Sequence, residues 1–361
     1  MNIWIYAISK NERQFCDRFM ASCAGADGVL VLDTGSDDGT AERLRSLGAV
    51  VSTAVITPWR FDTARNVALE LVPEDADICL ALDLDEVLAP GWREAIEAAW
   101  SEGVTRGRYL YVWSHDLSGG DGVTFFADKL HSCRGYHWRY PVHEVLSAET
   151  PETQAVIPGL RVDHWPDNTK SRSSYLPLLE LAVREDPAND RNTHYLGREY
   201  MFHRRYGEAI ETLLRHLSLP TATWKAERAA SMRYIAHCCD ALGDWRSAAH
   251  WLERAADEAP TQREGPFDLA MLYYRRGDWA LCRYWAMRTL AVAERDYNYM
   301  TDPAAWGPEP YDLSAIANWH LGHCDEALDA ARAALELAPG DERLRRNVEI
   351  IQGGAVNGRT E

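Results

Sequence analysis

An apolar run that ends in Asp83-Leu84-Asp85-Glu86 puts three carboxylates within four residues of a predicted strand terminus. Burying such charge without a partner is very costly, so a divalent cation bridging carboxylate and diphosphate oxygens is the expected resolution. Hard oxygen ligands suit magnesium or manganese. Alternation sets Asp83 and Asp85 on one side of the strand and Leu84 on the other. Three more polar clusters fall close to predicted strand ends, where open α/β sheets place their ligands. Ser9-Lys10-Asn11-Glu12 follows the first strand, and Asp33-Thr34-Gly35-Ser36-Asp37-Asp38-Gly39-Thr40 follows the second. In Trp59-Arg60-Phe61-Asp62-Thr63-Ala64-Arg65-Asn66, Arg65 and Asn66 lie on the first turns of a helix. Arg65 could grip a diphosphate through its fork of donors, or pair with Asp62 or Glu70 on its own helix.

Further along, Arg134-Gly135-Tyr136-His137-Trp138-Arg139-Tyr140-Pro141-Val142-His143-Glu144 gathers aromatic, basic and acidic groups. Glu144 is the leading candidate for a general base, with Asp116 and Asp121 of a Gly-rich loop in reserve. A structural carboxylate satisfied by Arg134, Arg139 or His143 is the alternative. Tyr136, Trp138 and His143 would face an acceptor, or simply pack. His164, at the end of a strand-like run over 160–165, is a candidate metal ligand or a structural imidazole.

The elements that must position these groups alternate. Runs 3–8, 28–32, 49–53 and 77–82 read as strands, and 12–23, 40–47 and 62–71 as helices, a βαβαβ series that predicts an α/β unit with a mostly parallel sheet. Strand-like runs 107–114 and 122–130 extend it. Beyond Asp167 the pattern becomes Ala/Leu/Trp/Tyr-rich helix. Leu242-Gly243-Asp244-Trp245 repeats as Arg276-Gly277-Asp278-Trp279 after 34 positions, the tetratricopeptide period. Leu321-Gly322-His323-Cys324 and Arg205-Tyr206-Gly207-Glu208 are related turns, an insert over 297–310 lengthens one spacing, and Pro220, Pro260 and Pro339 sit where second helices should end. The division expected is an α/β domain over 1–167, a connecting helix over 168–185, helical repeats over 186–350 and a flexible tail over 351–361. The repeats offer a groove for a peptide or partner protein, a stabilising cap, or a homodimer platform.

A formal charge of −17 disfavours nonspecific attraction to nucleic-acid backbones and anionic lipid. Arg134, Arg139, Arg161, Lys170 and Arg172 could still line a local basic face. Eight cysteines with no Cys-x-x-Cys pair, mostly in apolar runs, read as buried free thiols in a reducing cytoplasm. The first residues lack a basic n-region and are too short and polar-interrupted to span a bilayer.

The joined set Ile8-Ser9-Lys10-Asn11-Glu12, the Val31–Thr40 loop, Ala64-Arg65-Asn66 and Asp83-Leu84-Asp85-Glu86 resembles glycosyltransferase family 2 over residues 1–165. That resemblance implies a GT-A, Rossmann-like fold, an inverting transfer from a UDP-sugar donor, and manganese or magnesium. It implies a nucleotide-sugar pocket of Ser9, Asn11, Glu12, Asp33, Arg65, Asn66 and Asp83, with Asp85 at the metal and His164 resembling the late metal or diphosphate ligand of several GT-A enzymes. The repeats make the chain similar to peptide glycosyltransferases of bacteriocin precursors, so a peptide or protein acceptor is expected. A hydroxymethylated DNA base and a polysaccharide or lipid-linked sugar are alternatives, as is a degenerate transferase domain kept as a peptide-binding scaffold.

Overall fold

The computed structural model describes residues 1–115, 119–167 and 175–357, and divides into two units, Met1–Glu185 and Asp186–Glu361. The β-branched and aromatic runs of the first unit form ten strands: β1 (Ile3–Ser9), β2 (Gly28–Asp33), β3 (Val50–Thr53), β4 (Ile78–Ala81), β5 (Glu86–Leu88), β6 (Arg106–Val112), β7 (Thr124–Ser132), β8 (Tyr136–Arg139), β9 (Val145–Ala148) and β10 (Gln154–His164). Its helices are α1 (Cys16–Ser22), α2 (Thr40–Ser46), α3 (Phe61–Glu70), α4 (Trp92–Ala99) and α5 (Tyr175–Glu185).

Eight strands make one sheet in the order β3-β2-β1-β4-β7-β6-β10-β5, and β8 and β9 form a separate hairpin. The sheet is mixed, which corrects the mostly parallel one expected. β3, β2, β1 and β4 run parallel, but β7 is antiparallel to both β4 and β6, and β5 is antiparallel to β10. Strand alternation sorts the side chains into two cores. Ile3, Ile5 and Ala7 of β1 join Val29, Ile78 and Leu80 in a layer with Phe19, Leu44, Trp92 and Ile96 of the helices. Tyr6 and Ile8 point the other way, with Leu30, Cys79, Ala64 and Ala68 and with Trp138 and Leu146 of the hairpin. Because β1 and β2 are parallel and in register, Ser9 lies beside Asp33 at one edge.

Cys79 and Cys133 form a disulfide with Cα atoms 5.0 Å apart, so the expectation that every cysteine is a free thiol is corrected for these two. Their closeness follows from the β4–β7 pairing, which sets Cys79 opposite His131. Among the described residues no helix is long and apolar enough to cross a membrane.

Among the described residues the regular structure of the second unit is entirely helical. Its helices are α6 (Asp190–Phe202), α7 (Tyr206–Ser218), α8 (Lys225–Ala241), α9 (Trp245–Glu258), α10 (Glu264–Arg276), α11 (Trp279–Leu290), α12 (Pro303–Trp306), α13 (Glu309–His320), α14 (Cys324–Leu337) and α15 (Glu342–Asn357). α12 lies in the insert, and the final helix continues past 350. The matched turns behave alike. Gly243, Gly277 and Gly322 take φ of +87°, +69° and +80°, a region open to glycine at little cost. The Asp244 and Asp278 side chains then cap α9 and α11 by accepting from the Ser247 and Leu281 amides. Gly265 lets α10 meet α9 closely, since a Cβ there would lie 2.9 Å from the Ala256 nitrogen.

Candidate functional site

The polar clusters of the first unit gather about the ends of β1, β2 and β4, but they are spent largely on one another. Asp33 is buried and accepts from the Ser9 hydroxyl (3.1 Å), the Gly35 and Ser36 amides (3.1 and 2.9 Å) and the Ser36 hydroxyl (2.5 Å). Its carboxylate therefore organises the loop that follows β2. Asn11, at φ +53°, accepts from the Asp37 amide while its own amide donates to Ser36 Oγ. The Glu12 amide donates to Thr40 Oγ1. These contacts tie the first two loops together.

Arg65 is the centre of the next layer. Buried on α3, it donates from Nε to Glu144 Oε1 (2.5 Å) and from Nη2 to Asp83 Oδ1 (2.7 Å), beneath the Trp138 ring at 5.1 Å. Its Nη1 is buried with no hydrogen-bond partner. The local pairing with Asp62 does not occur; Asp62 binds Arg60, which also reaches Glu185 on α5. Asn66 pins the hairpin, donating to the Trp138 carbonyl and accepting from the Trp138 amide.

Lys129 of β7, which no local pattern singled out, completes the neutralisation of the acidic turn. It donates to Glu86 Oε1 at 2.9 Å and lies 3.7 Å from Asp83. Glu86 is 1% exposed and also accepts from the Tyr111 hydroxyl and the Asp83 amide. Two protein cations, Arg65 and Lys129, thus lie directly against Asp83, Glu86 and Glu144. Burial works to raise the Asp83 carboxyl, but Arg65 and Lys129 outweigh it and hold it well below the usual carboxylate range. The Lys129 ammonium is raised; burial opposes this, and Glu86 and Asp83 overcome it.

Asp85 and His164 are the pair left apart from these cations, with His164 Nε2 3.4 Å from Asp85 Oδ2. His164 Nδ1 lies 3.0 Å from the Trp113 carbonyl, which can only accept, so Nδ1 carries a proton and Nε2 faces the carboxylate. Burial depresses the imidazole, but the Asp85 contact outweighs it and its pKa is raised.

The expected acceptor side is not an open face. The Tyr136 hydroxyl lies within hydrogen-bond distance of Thr105 Oγ1 (3.0 Å) and Glu152 Oε2 (3.2 Å), with one proton to give, and the buried Trp138 indole donates to the Tyr6 hydroxyl, so both rings belong to the core. His143 packs edge-on against Tyr175 of α5. Glu144, the candidate base, is committed to Arg65. Asp116 lies outside the described residues, as do Lys170 and Arg172, and Asp121 is held in a fork by Arg161, which also binds Asp163. Arg134 likewise donates to backbone carbonyls.

No family model matches the chain. The solved structures it is similar to include MamA (19% identity, 45% of this chain and 79% of that one, TM-score 0.35) and PilF of Pseudomonas aeruginosa (16%, 49% and 72%, 0.37). YrrB, described as a TPR protein with an unusual peptide-binding site, matches at 16% identity over 49% of this chain and 82% of its own, with a TM-score of 0.36. These similarities fall to tetratricopeptide proteins, not to glycosyltransferases. The assignment to glycosyltransferase family 2 is corrected accordingly, and with it the expectation of a metal-dependent, UDP-sugar-using enzyme. The second unit's tetratricopeptide-type repeat stands.

Proposed function

We propose that this chain is a non-catalytic scaffold whose helical repeats bind an extended peptide segment of a partner protein. One repeated arrangement carries the reading. Trp245 and Trp279 open α9 and α11 one period apart, and each is covered by the last residue of a neighbouring helix. Arg276 of α10 lies over Trp245 at 3.7 Å, and His320 of α13 stacks on Trp279 at 3.9 Å. Trp245, Trp279 and Arg276, together with Tyr273, Asp278 and Leu321, line a groove of about 540 Å³, with His320 backing Trp279. Half-buried indoles supply contact area at low entropic cost, while Arg276 and Asp278 can pair with a peptide backbone or its charged side chains. For peptides selected by display against the full chain, Trp279→Ala is expected to weaken binding about 30-fold with the helical circular-dichroism signal unchanged. Equal affinity for the variant would remove the groove from the account.

A second element of the proposal concerns Asp85 and His164. An imidazole whose Nδ1 is anchored to a carbonyl and whose Nε2 faces a carboxylate is arranged for a divalent cation of the manganese or magnesium class, where it would serve to hold β5 and β10 together. Added manganese should raise the unfolding temperature in a concentration-dependent way, and Asp85→Asn should abolish that rise. A rise that persists in the variant would place the ion elsewhere.

A further inference from the structure

Three helix ends of the repeat unit converge on a second constellation, which plays no part in the groove. Asp190 opens α6, His216 lies in the last turn of α7, and Glu227 lies in the first turn of α8, so the up-down-up course of these helices brings the three to one end. One ligand atom from each lies within 4.8 Å of the others. His216 and Glu227 are 1% and 3% exposed, and Asp190 is half-buried.

The outer hydrogen bonds fix the inner atoms. His216 Nδ1 is 2.9 Å from Ser231 Oγ, which is itself 2.7 Å from His194 Nδ1. Glu227 Oε2 accepts from the Tyr299 hydroxyl at 2.9 Å, and Tyr299 is stacked against Tyr195. This leaves His216 Nε2 and Glu227 Oε1 facing one another at 3.3 Å, yet Nε2 makes no hydrogen bond of acceptable angle. A buried imidazole nitrogen with its other nitrogen anchored, set against a carboxylate oxygen anchored likewise, is the second-layer arrangement of a metal ligand pair. The spacing agrees. Ligand atoms bound tetrahedrally at about 2.0–2.1 Å lie about 3.3–3.4 Å apart.

The geometry points to a zinc-class divalent site formed by His216 Nε2, Glu227 Oε1 and an Asp190 carboxylate oxygen, with water as fourth ligand. Mixed imidazole and carboxylate donors suit zinc better than magnesium. The ion would clip the first helix pair to α8, at a point where the buried polar atoms of Asn192 and the Nε2 of His194 also lack protein partners. Arg191, packed over the Tyr195 ring, is the competing positive charge at this end.

The test uses the full chain carrying Asp85→Asn, which removes the first-unit candidate, stripped with chelator and titrated with cobalt and zinc. One tight equivalent is expected, with a visible cobalt band of the imidazole-ligated type. His216→Asn and Glu227→Gln should abolish both. Asp190→Asn, at a half-buried helix start, should weaken binding at least tenfold while the circular-dichroism spectrum is unchanged, which decides the matter should the buried variants fail to fold. Absence of a tight equivalent, or one unaffected by Asp190→Asn, overturns the site.

Discussion

Arg65→Met is expected to destabilise the first unit by about 3–5 kcal/mol, the range for removing one partner of a buried ion pair. The substitution strips the cation from Glu144 and Asp83 at once, and the Glu144 side chain is only 11% exposed. Asp83, about a third exposed, can recover some hydration, which favours the lower end of the range. At a urea dependence of about 2 kcal/mol/M the midpoint should fall by about 1.5 M. Adding Asp83→Asn and Glu144→Gln to Arg65→Met should restore most of the loss, because the penalty is uncompensated charge rather than lost packing. A single variant with an unchanged midpoint would show that Arg65 is not the internal counter-ion of the acidic turn.

The second large effect is on the other side of that turn. Lys129→Met should cost about 3 kcal/mol, since Glu86 keeps the Tyr111 hydroxyl and the Asp83 amide but loses its cation in a nearly inaccessible position. Combined with Glu86→Gln, the loss should be less than the sum of the two single changes by about 1–3 kcal/mol, as expected for residues in direct contact. Strict additivity in denaturation measurements would contradict the pairing.

These two residues also show where sequence reasoning stopped. The acidic turn itself was legible, because Asp83, Asp85 and Glu86 follow an apolar run and the strand-end rule is local. Its neutralisation was not. Arg65 is 18 positions from Asp83 and Lys129 is 43 from Glu86, so their meeting depends on α3 packing over β1 and on β7 pairing with β4. Without those partners in view the buried charge argued for a metal; with them, Asp83 and Glu86 each have a protein cation in contact. The same β4–β7 pairing brings Cys79 to Cys133 across 54 positions, which no spacing rule anticipates.

Local chemistry was read more successfully. The ends of β1 and β2 and most of α3 follow from alternation and periodicity, and the repeat was visible because two turns one period apart pair a glycine at positive φ, Gly243 or Gly277, with a capping aspartate. The hairpin of β8 and β9 was missed for the opposite reason. Its first strand, Tyr136–Arg139, is dense in aromatic and basic groups that suggest a site, whereas Tyr136 and Trp138 spend their polar atoms on Thr105, Glu152 and Tyr6 inside the core. Glu86 likewise looked like the end of an acidic strand terminus but begins a short strand, β5, held antiparallel to β10.

The scaffold account is tested most directly by hydrogen exchange of the full chain with and without a display-selected peptide. Slower exchange is predicted at the starts of α9 and α11 and the ends of α10 and α13, the four segments that present Trp245, Trp279, Arg276 and His320. Failure to select any binding peptide, or protection confined to Met1–Glu185, would contradict it.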